Sequence, residues 1–83
     1  GVLVIMHGAS TASSMVQVAN SLAGFEHARG LDMPLTMKAD TMYEIAKDQV
    51  LNMDKGKGVL LLIDMGSLVN FGDMIYEETG IMI

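Results

Sequence analysis

Two polar residues in this 83-residue chain are placed to do chemistry together. His7 follows the apolar run at 2–6, and Asp64 follows the apolar run at 59–63. An imidazole can take up or pass on a proton or a phosphoryl group near neutral pH, and a carboxylate beside it fixes its tautomer and stabilises its charged form. Gly8 and the hydroxyl cluster Ser10, Thr11, Ser13 and Ser14 come after the histidine; Gly66 and Ser67 come after the aspartate. Small residues ahead of a helix leave backbone N–H groups open to an anion, and the helix dipole adds to the attraction. Gly8, Ser10, Thr11, Gly66 and Ser67 are therefore the candidate phosphate-binding residues around His7 and Asp64. Such a group amounts to a nucleophile or base, an orienting acid and two sets of N–H donors, which suits a phosphoryl group carried on histidine.

Each residue taken singly has a plainer reading. A histidine after a strand is commonly a turn residue, an aspartate there commonly caps the next helix, and a hydroxyl cluster is commonly a redundant N-cap. The signal lies in the pairing of strand–His–Gly with strand–Asp–x–Gly–Ser.

For the two to meet, the elements must bring them together. The run at 2–6 reads as a buried strand. A helix capped by Ser10 or Thr11 follows, with Met15, Val18, Ala19 and Leu22 as its expected buried stripe and Gly24 as its stop. A short strand is expected at 31–33, limited by Pro34, which cannot donate to a ladder. Asp40 or Thr41 opens a second helix with the capping-box spacing Thr41–Glu44 and an apolar face of Met42, Ile45, Ala46 and Met53. After a turn at 54–58 comes the strand at 59–63, then a third helix from Gly66-Ser67 with Leu68, Phe71 and Ile75 apolar and Gly80 to end it. Residues 81–83 read as the start of a fourth strand, so the chain is expected to be one incomplete domain spanning 1–83, truncated at its C-terminus. Alternating strands and helices with short links imply an α/β fold: a three-layer α/β/α, doubly wound, mainly parallel sheet of order 2-1-3-4. In that order the switch point, where ligands bind beyond the strand ends, falls between the first and third strands. His7 and Asp64 end those two strands.

Composition fits a sheet buried on both faces: 51% of residues are hydrophobic, with a mean hydropathy of +0.39, yet no apolar run is long enough to span a bilayer. A formal net charge of −5, with scattered basic residues, argues against direct contact with nucleic acid or insertion at an anionic membrane. There is no cysteine, which excludes disulfides and thiolate metal sites and fits a cytoplasmic location. No cofactor is expected. A metal site from His7, His27 and Asp64 lacks ligand spacing. A hydrolase using Ser10 as nucleophile lacks a G-x-S-x-G elbow, and a serine three residues after its base has poor geometry.

At the segments His7-Gly8-Ala9-Ser10-Thr11-Ala12-Ser13-Ser14-Met15 and Gly58-Val59-Leu60-Leu61-Leu62-Ile63-Asp64-Met65-Gly66-Ser67-Leu68 the chain resembles EIIA domains of the mannose type, from the bacterial phosphoenolpyruvate-dependent sugar phosphotransferase system (PTS). It is most similar to the EIIA-like module of LevR-type sigma-54-interacting transcriptional activators, which also carry ATPase and DNA-binding domains. Met33-Pro34-Leu35 and the stretch from Phe71-Gly72 to Glu77-Glu78-Thr79-Gly80-Ile81 fit that subgroup. The resemblance implies that His7 accepts a phosphoryl group from the phosphocarrier HPr or an EIIB component, with Asp64 bonded to its other ring nitrogen. Transport-type members carry a Gly-Gly-Ser-Pro-like turn where this chain has Met65-Gly66-Ser67-Leu68, which is closer to the regulator and dihydroxyacetone-kinase phosphocarrier branches. Members commonly pair as homodimers through later elements, so the resemblance leaves a homodimer open.

Overall fold

Strand β1 (Val2–His7) lies between β2 (Ala28–Met33) and β3 (Leu60–Ile63), and both pairings are parallel. The computed structural model describes residues 1–24 and 28–83, and of Ser67 it describes the backbone alone. The register sets Val2 beside Ala28 and Leu60, and runs to His7 beside Met33 on one side and Ile5 beside Ile63 on the other. Helices α1 (Thr11–Ala23), α2 (Ala39–Met53) and α3 (Phe71–Thr79) complete the fold, with a 3-10 turn at Gly66–Asn70 leading into α3.

Alternation along the strands sorts side chains between the two faces. Leu3, Ile5, Leu61 and Ile63 meet Met42, Ala46 and Val50 of α2 and Leu68, Phe71 and Ile75 of the turn and α3. Val2, Val4, Met6 and Ala28 meet Ala12 and Val16 of α1 on the other face. The largest fully buried side chains, Leu3, Ile5, Met42, Leu68, Ile75 and Val50, all belong to the first of these clusters. Each contributes roughly 1.5–3 kcal/mol of transfer free energy, so the α2–α3 side supplies most of the fold's hydrophobic stabilisation.

The expected face of α1 is corrected. Met15, Val18 and Leu22 stand exposed, at 47%, 60% and 85%, while Ala12 and Val16 are buried. The cause is Gly30 of β2, where an added Cβ would lie 2.9 Å from the Ala12 carbonyl carbon and oxygen. A helix seated that close to a strand turns its small side chains inward and its larger ones out. Asn20 holds the far end of the contact through paired bonds to Ala28, its Nδ2 donating to the carbonyl and its Oδ1 accepting from the N–H at 3.1 Å each.

Smaller corrections follow the same physics. Helix α2 begins at Ala39, with Lys38 at the N-cap and no side-chain cap bond, so the Thr41–Glu44 box does not form. Glu44 instead pairs with Lys47 at 3.2 Å, and Ile45 is partly exposed while Val50 takes a buried place. The second strand starts three residues earlier than expected, at Ala28. Residues 81–83 form no strand; the Met82 carbonyl accepts the N–H of Val59, just ahead of β3, at 2.9 Å. The observed order is therefore β2-β1-β3.

Candidate functional site

The ladder between β1 and β3 ends at Ile5–Ile63, and beyond it a side chain takes over the role of a backbone acceptor. The His7 N–H donates to Asp64 Oδ2 at 3.0 Å. His7 Nδ1 lies 2.9 Å from Asp64 Oδ1, which also accepts the Met65 N–H at 2.8 Å. These donors hold the Asp64 carboxyl below the ordinary carboxylate range, the His7 N–H first among them. An ionised carboxylate only accepts, so the proton of a neutral His7 ring sits on Nδ1 and Nε2 carries the free lone pair. The two side chains keep 19% and 27% of their surface exposed, enough for an incoming group to reach the ring.

Gly8 turns the chain out of β1 with φ of +116°, its N–H bonded to the Met33 carbonyl at 2.9 Å. A Cβ there would strike Thr11 Oγ1 and would force a conformation that side chains rarely adopt. Gly66 comes up on the other side of the ring, where a Cβ would stand 3.8 Å from His7 Cε1. Thus His7, Asp64, Gly8 and Gly66 form one cluster, with Thr11 against Gly8. Ser10 is exposed at the α1 N-cap position, and its side chain makes no cap bond. Ser67 follows Gly66 in the first turn of the 3-10 segment; its side chain lies outside the described residues, as does the whole of His27. The described residues contain no cluster of three or more His, Asp or Glu side chains able to hold a metal ion.

One residue escaped the sequence reading. Asp32 Oδ1 accepts the Ser13 N–H at 3.0 Å, so the cap of α1 comes from the neighbouring strand. That bond, with others from Ser13 and Ala12, holds Asp32 below the ordinary carboxylate range. Register explains the reach: Asp32 lies beside Met6, one residue before His7, and so at the same end of the sheet as the α1 N-terminus. An acceptor nineteen residues away leaves no local capping pattern to read. Its consequence for an anion is direct, because one of the first-turn donors of α1 is already taken by a carboxylate.

Comparison with known proteins adds a lineage to this geometry. Residues 1–82 match the EIIA-man family, described as PTS system fructose IIA component. The chain is 45% identical over 83 residues to the transcriptional regulatory protein LevR of Bacillus subtilis, covering all of this chain and 9% of that protein. It is 36% identical over 76 residues to the transcriptional regulatory protein DagR of Salmonella typhimurium, covering 90% of this chain and 8% of that one. It thus spans less than a tenth of either relative. A crystal structure of a sigma-54 interaction domain protein from Enterococcus faecalis superposes with a TM-score of 0.92 at 51% identity, over 99% of this chain and 62% of that one.

Proposed function

This chain belongs to the mannose-type EIIA family of the phosphotransferase system, and from that premise we propose that it is a phosphoryl-accepting regulatory domain with His7 Nε2 as the acceptor. The observation that carries the reading is the Asp64 carboxylate on His7 Nδ1 at 2.9 Å, which leaves Nε2 as the nucleophile. The Nε2 lone pair attacks phosphorus, the new N–P bond forms as the donor's bond to phosphorus breaks, and the leaving group departs with that electron pair. Positive charge then builds on the ring, and the carboxylate bonded to Nδ1–H stabilises it. In this reading Gly8, Ser10, Thr11, Gly66 and Ser67 bind the transferred group, the glycines allowing close backbone approach, the Ser10 and Thr11 hydroxyls acting as donors and Ser67 contributing through its backbone.

The donor in this reading is phosphorylated HPr or an EIIB component, and the setting is cytoplasmic. Among the described residues, no helix is long and apolar enough to cross a membrane. Two of the relatives are transcriptional regulators, which favours a regulatory role over transport. In that role the domain sits in a sigma-54-type regulator beside ATPase and DNA-binding domains, and the net negative charge added on phosphorylation biases them.

The test is incubation of the protein and its His7→Ala variant with radiolabelled phosphorylated HPr or EIIB. Label that enters the wild type alone, is lost in acid and survives alkali is the expected result. No label, or label persisting in His7→Ala, overturns the assignment. Passage of the label onward from this domain to an EIIB would assign transport instead.

A further inference from the structure

The end of the sheet opposite His7 holds a second concave feature with a different chemistry. A cavity of about 400 Å³ opens where the strands begin, lined among others by Arg29, Lys55, Lys57, Asn52, Met53 and Ala28. The whole chain has five Lys and Arg residues against ten Asp and Glu, and three of those five line this cavity. No carboxylate lines the cavity among the described residues. Asp54, the nearest acid in sequence to the lysines, is turned into its own loop, accepting the Gly56 N–H at 3.1 Å and the Gly58 N–H at 3.0 Å. In a chain of net charge −5, the general field repels anions, so a local excess of cations is where an anion would settle.

The frame holding these cations is anchored. Beyond the Asp54 bonds, the Val59 N–H is tied to the Met82 carbonyl and the Leu60 N–H to the Gly1 carbonyl, each at 2.9 Å. Arg29 Nη1 donates to Gln49 Oε1 of α2 at 3.1 Å, which fixes the guanidinium while most of its N–H groups stay available. An Arg fork with two ammonium groups is the donor set that phosphate oxygens favour. The volume lies near the lower end of small-molecule pockets, and Met53 and Ala28 supply an apolar wall.

We propose that this cavity binds a small phosphorylated organic molecule, its phosphate held by Arg29, Lys55 and Lys57 and its organic body against Met53 and Ala28. The site is separate from the histidine. Six strand residues at about 3.3 Å each place the two ends of β1 roughly 17 Å apart, and the proposal stands whether or not His7 is phosphorylated.

Phenyl phosphate and inorganic phosphate, titrated into the full chain at low ionic strength and followed by backbone amide shifts, provide the test. Both are expected to move the amides of Arg29, Asn52 and residues 54–58, with phenyl phosphate the tighter. The variant Lys55→Gln/Lys57→Gln is expected to weaken phenyl phosphate by on the order of tenfold or more, as loss of charge-assisted bonds implies. Both lysines are exposed, so the amide spectrum away from the loop serves to show that the variant is folded; Arg29→Gln is the second variant, with the same weakening expected. Shifts confined to the neighbourhood of Gly8 and Gly66, or unchanged affinity in the folded variants, overturn the proposal. Inorganic phosphate binding as tightly as phenyl phosphate overturns the part assigned to Met53 and Ala28.

Discussion

Asp64 accepts from two backbone N–H groups, those of His7 and Met65, as well as facing the His7 ring. The backbone bonds fix the carboxylate before the imidazole meets it, so the ring is oriented by a group that is itself held. Replacing Asp64 by Asn keeps the size and reverses part of the hydrogen-bond sense, because an amide can donate where the carboxylate only accepts. Asp64→Asn is expected to slow phosphoryl transfer to His7 by roughly 10- to 100-fold, the usual scale for removing an orienting partner. Transfer rates from phosphorylated HPr measure this, and a rate equal to wild type would remove Asp64 from the reaction. Both residues were visible in the sequence, as polar residues closing two apolar runs. The two backbone bonds were not, since they depend on where the β1–β3 ladder stops.

At the scale of elements, α1 is tied to β2 by Asp32 at its N-terminus and Asn20 near its C-terminus. The folded Asp32 carboxyl lies below its ordinary value of 3.8. A group lowered on folding contributes stability in full above its unfolded value and loses it as the pH falls through the folded one. Asp32→Ala is therefore expected to cost about 1 kcal/mol at pH 7, the ordinary worth of a helix cap. The difference should shrink as the pH drops below the carboxylate range. Urea unfolding midpoints at neutral and acid pH measure both; a gap that widens in acid would contradict the cap. The run of β1 was legible because a strand between two helical layers needs apolar residues throughout, and that of β3 because its four residues are all apolar. The inward side of α1 was not, because the helix carries two apolar stripes and the bulkier one suggested itself. Only the register that sets Gly30 against Ala12 selects the smaller. For α2, the capping box at Thr41 was a sound local pattern overridden by a helix that starts earlier.

Across the whole molecule the two faces of the sheet are unequally dressed. One lies under α2 and α3; on the other, α1 packs against β1 and β2, while Leu60 and Leu62 of β3 remain 58% and 44% exposed. The register sets these leucines beside Val2 and Val4, on the α1 side of the sheet. Strand β1, in contrast, has a partner along each edge. Time, as well as position, then separates the strands. Amides of Leu3, Val4 and Ile5 have no edge through which water can enter short of opening the sheet, so their hydrogens should exchange at the pace of global unfolding. Those of β2, which among the described strands pairs with β1 alone, should exchange through smaller and more frequent openings. Native-state exchange in deuterated water reads this ordering directly, and β2 amides outlasting those of β1 would refute it. If it holds, the histidine stands at the end of the slowest-breathing segment of the chain, and its ring keeps its bearing through fluctuations that loosen its neighbours.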